Sequence, residues 1–331
     1  TKSGPTNDFL AFRTYYGLPG SVHIVGSYSG KLDNAGETIT VKSSTAGKVV
    51  SEFTYGDGRG WPLSADGAGH SLVPLVFDSQ TNGALDSCWN WRASAYRGGS
   101  PGMADPTPLH DVSINEFMAH TDYTNGAPWQ DSNDWIELYN SLLSGVCLSN
   151  WYLSDNSSDL KKWAIPGTNT IAATNWMTFY EVGGFHPATN SGFGLNKGGE
   201  DIFLSYLPGN TNDRVADCVS FKGQENFRTW GRYPDGGVWW YTALPTTNRA
   251  NILAAQTLVI TEIMYHPPTN AANPGTNYVD EFIELHNPGA AALTLTNEVG
   301  AYRLDGEVDF VFASNTTIAA GGYLVVVSFD P

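Results

Sequence analysis

DWIELYN, residues 134–140, decides how this chain is read. Its apolar and polar residues alternate, as in a half-buried β-strand, with Ile136 and Leu138 facing one way and Trp135, Glu137 and Tyr139 the other. The pattern returns in FIELHN, 282–287, where Ile283 and Leu285 repeat the inward pair. Working outward, INEFMAH at 114–120 matches ITEIMYH at 260–266, and WAIPGTNTIAATNWMTF at 163–179 matches FVFASNTTIAAGGYLVV at 310–326. The strand and this last pair share one offset of 147 residues.

The middle of the chain also matches its beginning, but through different segments. LNKGGEDIFL at 195–204 pairs with LDNAGETITV at 32–41, and VADCVSF at 215–221 with VVSEFTY at 49–55. WGRYPDGG near 230 echoes GWPLSADGAG near 60. Such internal periodicity predicts a repeat architecture. Residues 112–250 hold one complete copy, 257–331 the front half of another and 1–105 a back half, with linkers at 106–111 and 251–256. Only 7–16 has a helical pattern, with Asn7 or Asp8 as N-cap and Gly17 as stop.

Composition narrows the functional classes. The 331 residues are 41% hydrophobic, ample for packed cores, and 17 basic against 33 acidic residues give a formal charge of −16. A phosphate backbone needs clustered Lys and Arg, so nucleic acid is not an expected partner. The dilute charge and abundance of Gly, Thr, Asn and aromatics lead us to expect an extracellular or cell-surface protein. No apolar run approaches the roughly 20 residues of a membrane span. The start at Thr1, without Met or a signal-peptide pattern, is expected of a mature form or a fragment.

Taken in order, INEFMAH, DWIELYN, LSNWYLSD, WAIPGTNTIAA, GLNKGGEDIFL, VADCVSF and GRYPDGG resemble the lamin tail domain in its bacterial secreted form. The resemblance covers nearly the whole chain and implies tandem immunoglobulin-like β-sandwiches, one complete and one split across the termini. Bacterial modules of this kind resemble decorations of large secreted or surface proteins. The resemblance brings no catalytic residues, so no enzyme is expected.

Several constellations bear on chemistry. Glu262, His266, Glu284 and His286 fall on two neighbouring strands and have ligand types that suit zinc. Glu116, His120 and Glu137 recur in the middle copy with Tyr139 for the second His, which favours ordinary polar strand positions; paired catalytic carboxylates lack a cleft on a sandwich face. DYTNG at 122–126 and DSND at 131–134 have calcium-compatible side chains without the full loop pattern, so turn chemistry is the expectation and no cofactor is assigned. Among Cys88, Cys147 and Cys218, the pair Cys147 and Cys218 is the candidate disulfide, both falling on outward positions. Asn156 and Asn315 match the N-glycosylation pattern, and Trp239–Trp240 is where a carbohydrate face would be sought.

The chain closes on GGYLVVVSFDP, 321–331, whose Tyr323, Val325, Val327 and Phe329 are expected to form an edge that pairs with another chain. A structural role follows: an extracellular filament or surface layer in which 257–331 of one copy completes 1–105 of the next, non-covalently or as a covalent array with Pro331 joined to Thr1. Alternatives are an adhesion module with both halves closing in one chain, and accessory domains of a large secreted enzyme.

Overall fold

The computed structural model describes residues 9–26, 28–75, 84–121, 132–187, 192–224, 228–253, 257–269, 277–296, 300–305 and 308–328. The chain divides into two compact units, 1–253 and 254–331.

Helix α1 (Phe9–Tyr16) stops where Gly17 takes φ +63°, which lets Leu18 N–H donate to the Arg13 carbonyl at 2.9 Å. The expected N-caps, Asn7 and Asp8, lie outside the described residues. Two hairpins follow: β1 (Gly36–Lys42) with β2 (Val49–Gly56), and β3 (Leu72–Pro74) with β4 (Trp91–Ala93).

Residues 112–253 form the complete sandwich. Its strands are β5 (Val112–Met118), β6 (Trp135–Asn140), β7 (Val146–Cys147), β8 (Trp151–Ser154), β9 (Trp163–Ala164), β10 (Thr170–Ile171), β11 (Trp176–Tyr180), β12 (Asp201–Tyr206), β13 (Arg214–Ser220), β14 (Thr229–Arg232), β15 (Trp240–Leu244) and β16 (Ile252–Leu253). One sheet runs β11-β6-β5-β14-β15-β16 and the other β13-β12-β8-β9, with β7 paired to β10. Ile114, Phe117, Ile136, Leu138, Leu153 and Ile202 are sealed between them. Part of the expected linker 251–256 belongs to this fold, because Asn251 is buried and β16 pairs with β15.

The second unit carries β17 (Val259–Met264), β18 (Phe282–His286), β19 (Leu293–Thr294), β20 (Arg303–Leu304), β21 (Phe310–Val311), β22 (Thr317–Ile318) and β23 (Tyr323–Val327). These seven repeat β5 to β11 one for one. All four pairings recur: β17-β18, β18-β23, β19-β22 and β20-β21. The bulge between Ile114 and Glu116 returns between Ile260 and Glu262. Even the internal staple is copied, since Asn140 and Asn287 each place one side-chain amide on three backbone carbonyls.

The back half is copied in the same manner. Gly36 and Gly199 both have φ +108°, and a Cβ on either would press into the carbonyl of Tyr55 or Phe221 across the hairpin. The β1–β2 register slips after Val41, where β12–β13 slips after Leu204. The counterpart of the β14–β15 hairpin is β3–β4 rather than the segment near residue 60, where 63–65 form a short 3-10 turn. Trp91 and Trp240 then occupy equivalent places, and the last rungs agree: Leu75 N–H to Asn90 O at 2.7 Å, Tyr233 N–H to Trp239 O at 3.3 Å.

Residues 63–70 and Arg97 are anchored on the outer face of β12 and β13 within the first unit. Ala68 packs with Leu160, Phe203, Leu207 and Val215, and Arg97 N–H donates to Asp213 O at 2.9 Å. His70 accepts from Val215 N–H through Nε2 at 2.9 Å and donates from Nδ1 to Ser94 O at 2.7 Å. Burial holds its pKa below the ordinary histidine value, consistent with this neutral tautomer.

Candidate functional site

Two junctions join front to back in the complete sandwich. β5 pairs with β14 through Phe117–Trp230 and Glu116–Gly231, and β8 pairs with β12 from Trp151–Tyr206 to Ser154–Phe203. The outer halves possess the strands but not the junctions. Among the described residues β17 pairs only with β18, β20 only with β21, β1 only with β2 and β3 only with β4.

The residues that a junction would bury are consequently open. Ile260 and Ile263 are 55% and 54% exposed, whereas their counterparts Ile114 and Phe117 are at 0%. On the back half, Ile39, Phe53 and Tyr55 correspond to the core residues Ile202, Val219 and Phe221, yet they line an open cavity of about 520 Å³ with Trp61, Leu72 and Trp91. The apolar face of each half is that of a sandwich lacking its other half.

Tyr323, Val325 and Val327 lie on β23, paired to β18 on one side, while Phe329 falls outside the described residues. The counterpart of β23 in the complete copy, β11, is also the end strand of its sheet. The edges that the complete copy covers and the second unit leaves open are therefore those of β17 and β20.

The Glu262, His266, Glu284 and His286 set does not converge. Glu262 and Glu284 are direct cross-strand neighbours, but His286 sits opposite Val259, donates from Nδ1 to Gly322 O (3.0 Å) and stacks on Tyr323 with ring centroids 4.3 Å apart. Among the described residues no group of three or more His, Cys, Asp or Glu has a metal-holding arrangement. Of the DSND stretch, Ser132 Oγ donates to Glu181 at 2.6 Å, Asn133 accepts from Val182 N–H at 3.1 Å and Asp134 accepts from the Thr121 hydroxyl at 2.7 Å. Those groups tie β6 to residues 181–182; DYTNG and Asp131 lie outside the described residues. The three cysteines are free thiols. Cys147 contacts Ser149 and the Gly167 carbonyl at 3.4 Å each, whereas Cys218 packs against the cluster beneath residues 63–68. Trp240 is spent on Arg232, whose guanidinium lies 4.4 Å from its ring centroid, while Trp239 is exposed.

What sequence reasoning missed is the burial of Glu116 and Glu137. Read as outward polar positions, both are fully enclosed by the turn 245–251. Glu116 accepts from Thr229 Oγ1 (2.6 Å), Thr246 N–H (3.1 Å) and Thr246 Oγ1 (2.9 Å). Glu137 accepts from Asn115 Nδ2 (3.1 Å), Thr178 Oγ1 (3.2 Å) and Asn248 N–H. Desolvation outweighs these bonds and pushes Glu137 up to about 7, with Glu116 also raised. The signal in the sequence was TxN in PTTNRAN at 245–251, a turn able to donate to two carboxylates at once.

A pH effect follows. The unfolded Glu137 ionises near its ordinary 4.5 while the folded one keeps its proton to about 7, so this group's contribution is greatest at acid pH and is lost as pH rises between those values. Glu137→Gln is expected to remove a loss on the order of 3 kcal/mol between pH 4.5 and 7. Urea midpoints at pH 5 and 8 check it; equal pH slopes in wild type and variant would contradict the assignment.

A family model, the Lamin Tail Domain, matches residues 105–220 and 253–330. No curated protein and no solved structure matched the chain. The first matched segment contains β5 to β13, and the second β17 to β23.

Proposed function

The chain belongs to the lamin tail domain family, and on that premise we propose that it is a non-catalytic structural protein whose copies associate head to tail. The front half at 257–328 of one copy completes the back half at 32–105 of another, regenerating the two junctions of the 112–253 sandwich. The observation that carries this reading is the pair of complementary open faces, with Ile260 and Ile263 exposed at one end and the Phe53–Trp91 cavity at the other. A heterologous interface of this kind has no reason to close on itself, and it builds a filament or layer. The acidic, Thr- and Asn-rich composition supports an extracellular setting, and among the described residues no helix is long and apolar enough to cross a membrane.

Sedimentation velocity of the full chain over the micromolar range tests this. We expect the sedimentation coefficient to climb with concentration, and Ile263→Asp to hold the chain as a monomer with an unchanged far-ultraviolet spectrum. A wild-type chain that remains monomeric throughout overturns the proposal.

A further inference from the structure

We infer that Glu262 and Glu284 are the acceptors of a polar clasp, whose donors are Ser71, Ser100 and Gly102 of a second copy. This rests on the head-to-tail reading and names the residues that set its register. The complete sandwich supplies the template: three back-half residues, Thr229, Thr246 and Asn248, donate to the glutamate pair on β5 and β6.

Each donor has a counterpart in the first half. The turn 99–105 repeats 245–251: Met103 N–H donates to Ser100 O (3.3 Å) as Arg249 N–H does to Thr246 O (3.1 Å), and Ser100 Oγ donates to Asp105 (2.9 Å) as Thr246 Oγ1 does to Asn251 (2.7 Å). Gly102 at φ +78° stands where Asn248 takes φ +59°. By the hairpin register, Ser71 stands where Thr229 does. Thr229 and Thr246 are buried, whereas Ser71 and Gly102 are exposed and Ser100 is half-exposed.

The acceptor side is already half assembled. Thr261 Oγ1 donates to Glu284 Oε1 at 2.7 Å, filling the place that Asn115 fills on Glu137. Glu284 Oε2 is left for the Gly102 N–H. Glu262, exposed, would take the Ser71 hydroxyl and the Ser100 N–H. The strand that carries it has a seat: a groove of about 400 Å³ beside β3, walled by Phe12 and Tyr16 of α1, Leu72 and Val73, and Ser100 and Met103 of the turn. Transferring the β5–β14 register sets Ile263 opposite Leu72 and Glu262 opposite Val73.

The test is a full chain with Cys88, Cys147 and Cys218 replaced by alanine and carrying Ser100→Cys with Glu262→Cys, treated with a short bis-maleimide, with each single variant in the same background as control and sedimentation run in parallel. We expect a ladder of covalent oligomers from the double variant alone. Assembly by sedimentation without a ladder overturns the clasp and leaves head-to-tail association standing. A link confined within single chains overturns the second copy as donor. Failure to assemble at all removes the association reading and this one with it. In chains with native cysteines, Ser71→Ala and Glu262→Ala are each expected to weaken association about tenfold. The double alanine variant should be no weaker than either single one, whereas additive losses would indicate two separate structural roles and overturn the contact.

Discussion

Replacing Asn140 by alanine is expected to destabilise the first unit by about 4 kcal/mol, read as a fall in the urea midpoint with unchanged slope. The side chain is fully buried. Its Nδ2 donates to the carbonyls of Ser144 (2.7 Å), Ile171 (3.1 Å) and Ala172 (2.9 Å), and its Oδ1 accepts from Leu142 N–H at 3.0 Å. Truncation strands the buried Ile171 carbonyl and removes the partner of three part-buried backbone groups, and a buried unpaired group costs more than a hydrogen bond gains. Asn140→Asp is expected to be at least as damaging, because it turns a donor into an acceptor facing carbonyl oxygens. Asn287 makes the same bonds to Ala291, Ile318 and Ala319, with Gly289 N–H on its Oδ1 at 2.9 Å, so Asn287→Ala should act selectively on the second unit. A loss below about 1 kcal/mol at Asn140 would contradict the stapling role.

The second large effect concerns Arg232, which bolts front to back in the complete sandwich. Its Nε donates to Ile114 O at 2.7 Å, and one terminal nitrogen reaches both oxygens of Asp217 at 2.9 Å. Asp217 in turn accepts from Ile114 N–H at 2.8 Å, so the two side chains hold both backbone groups of one β5 residue. Arg232→Ala leaves the half-buried Asp217 without its cation and strands the Ile114 carbonyl, and we expect a loss of about 3 kcal/mol. Lysine should rescue little, because a point charge cannot serve Ile114, Gly237 and Asp217 together while stacking on Trp240. Denaturation of Arg232→Ala, Arg232→Lys and wild type checks this; near-equal midpoints would sink it. In the outer halves the counterparts are Pro74 and Ser51, which cannot form the bolt. A junction made there relies on the apolar face and the glutamate clasp.

Much of this was legible in the residues. The alternation in WIELYN and FIELHN identified strands and their inward pairs, and Ile136, Leu138 and Leu285 are indeed buried. The shared offset of 147 residues located a front half at the end of the chain, and the seven strands there repeat β5 to β11. Gly17 marked the helix stop correctly because a glycine accepts the left-handed conformation that ends a helix.

Other features were beyond local pattern. Alternation shows which side chains share a face, but not whether a distant segment covers that face. Glu137 therefore read as exposed, and only the turn at 245–251 encloses it. The same limit applies to β23: a strand looks open from its own residues, whereas sheet order reveals that β11 is terminal even in the complete copy and that, among the described residues, β17 has a partner on one side only. Repeat and strand identity are carried by short-range spacing, so the sequence alone determined them. Covered faces and open edges depend on pairings across a hundred residues or more, such as Glu116 with Thr229, and these only the tertiary structure decided.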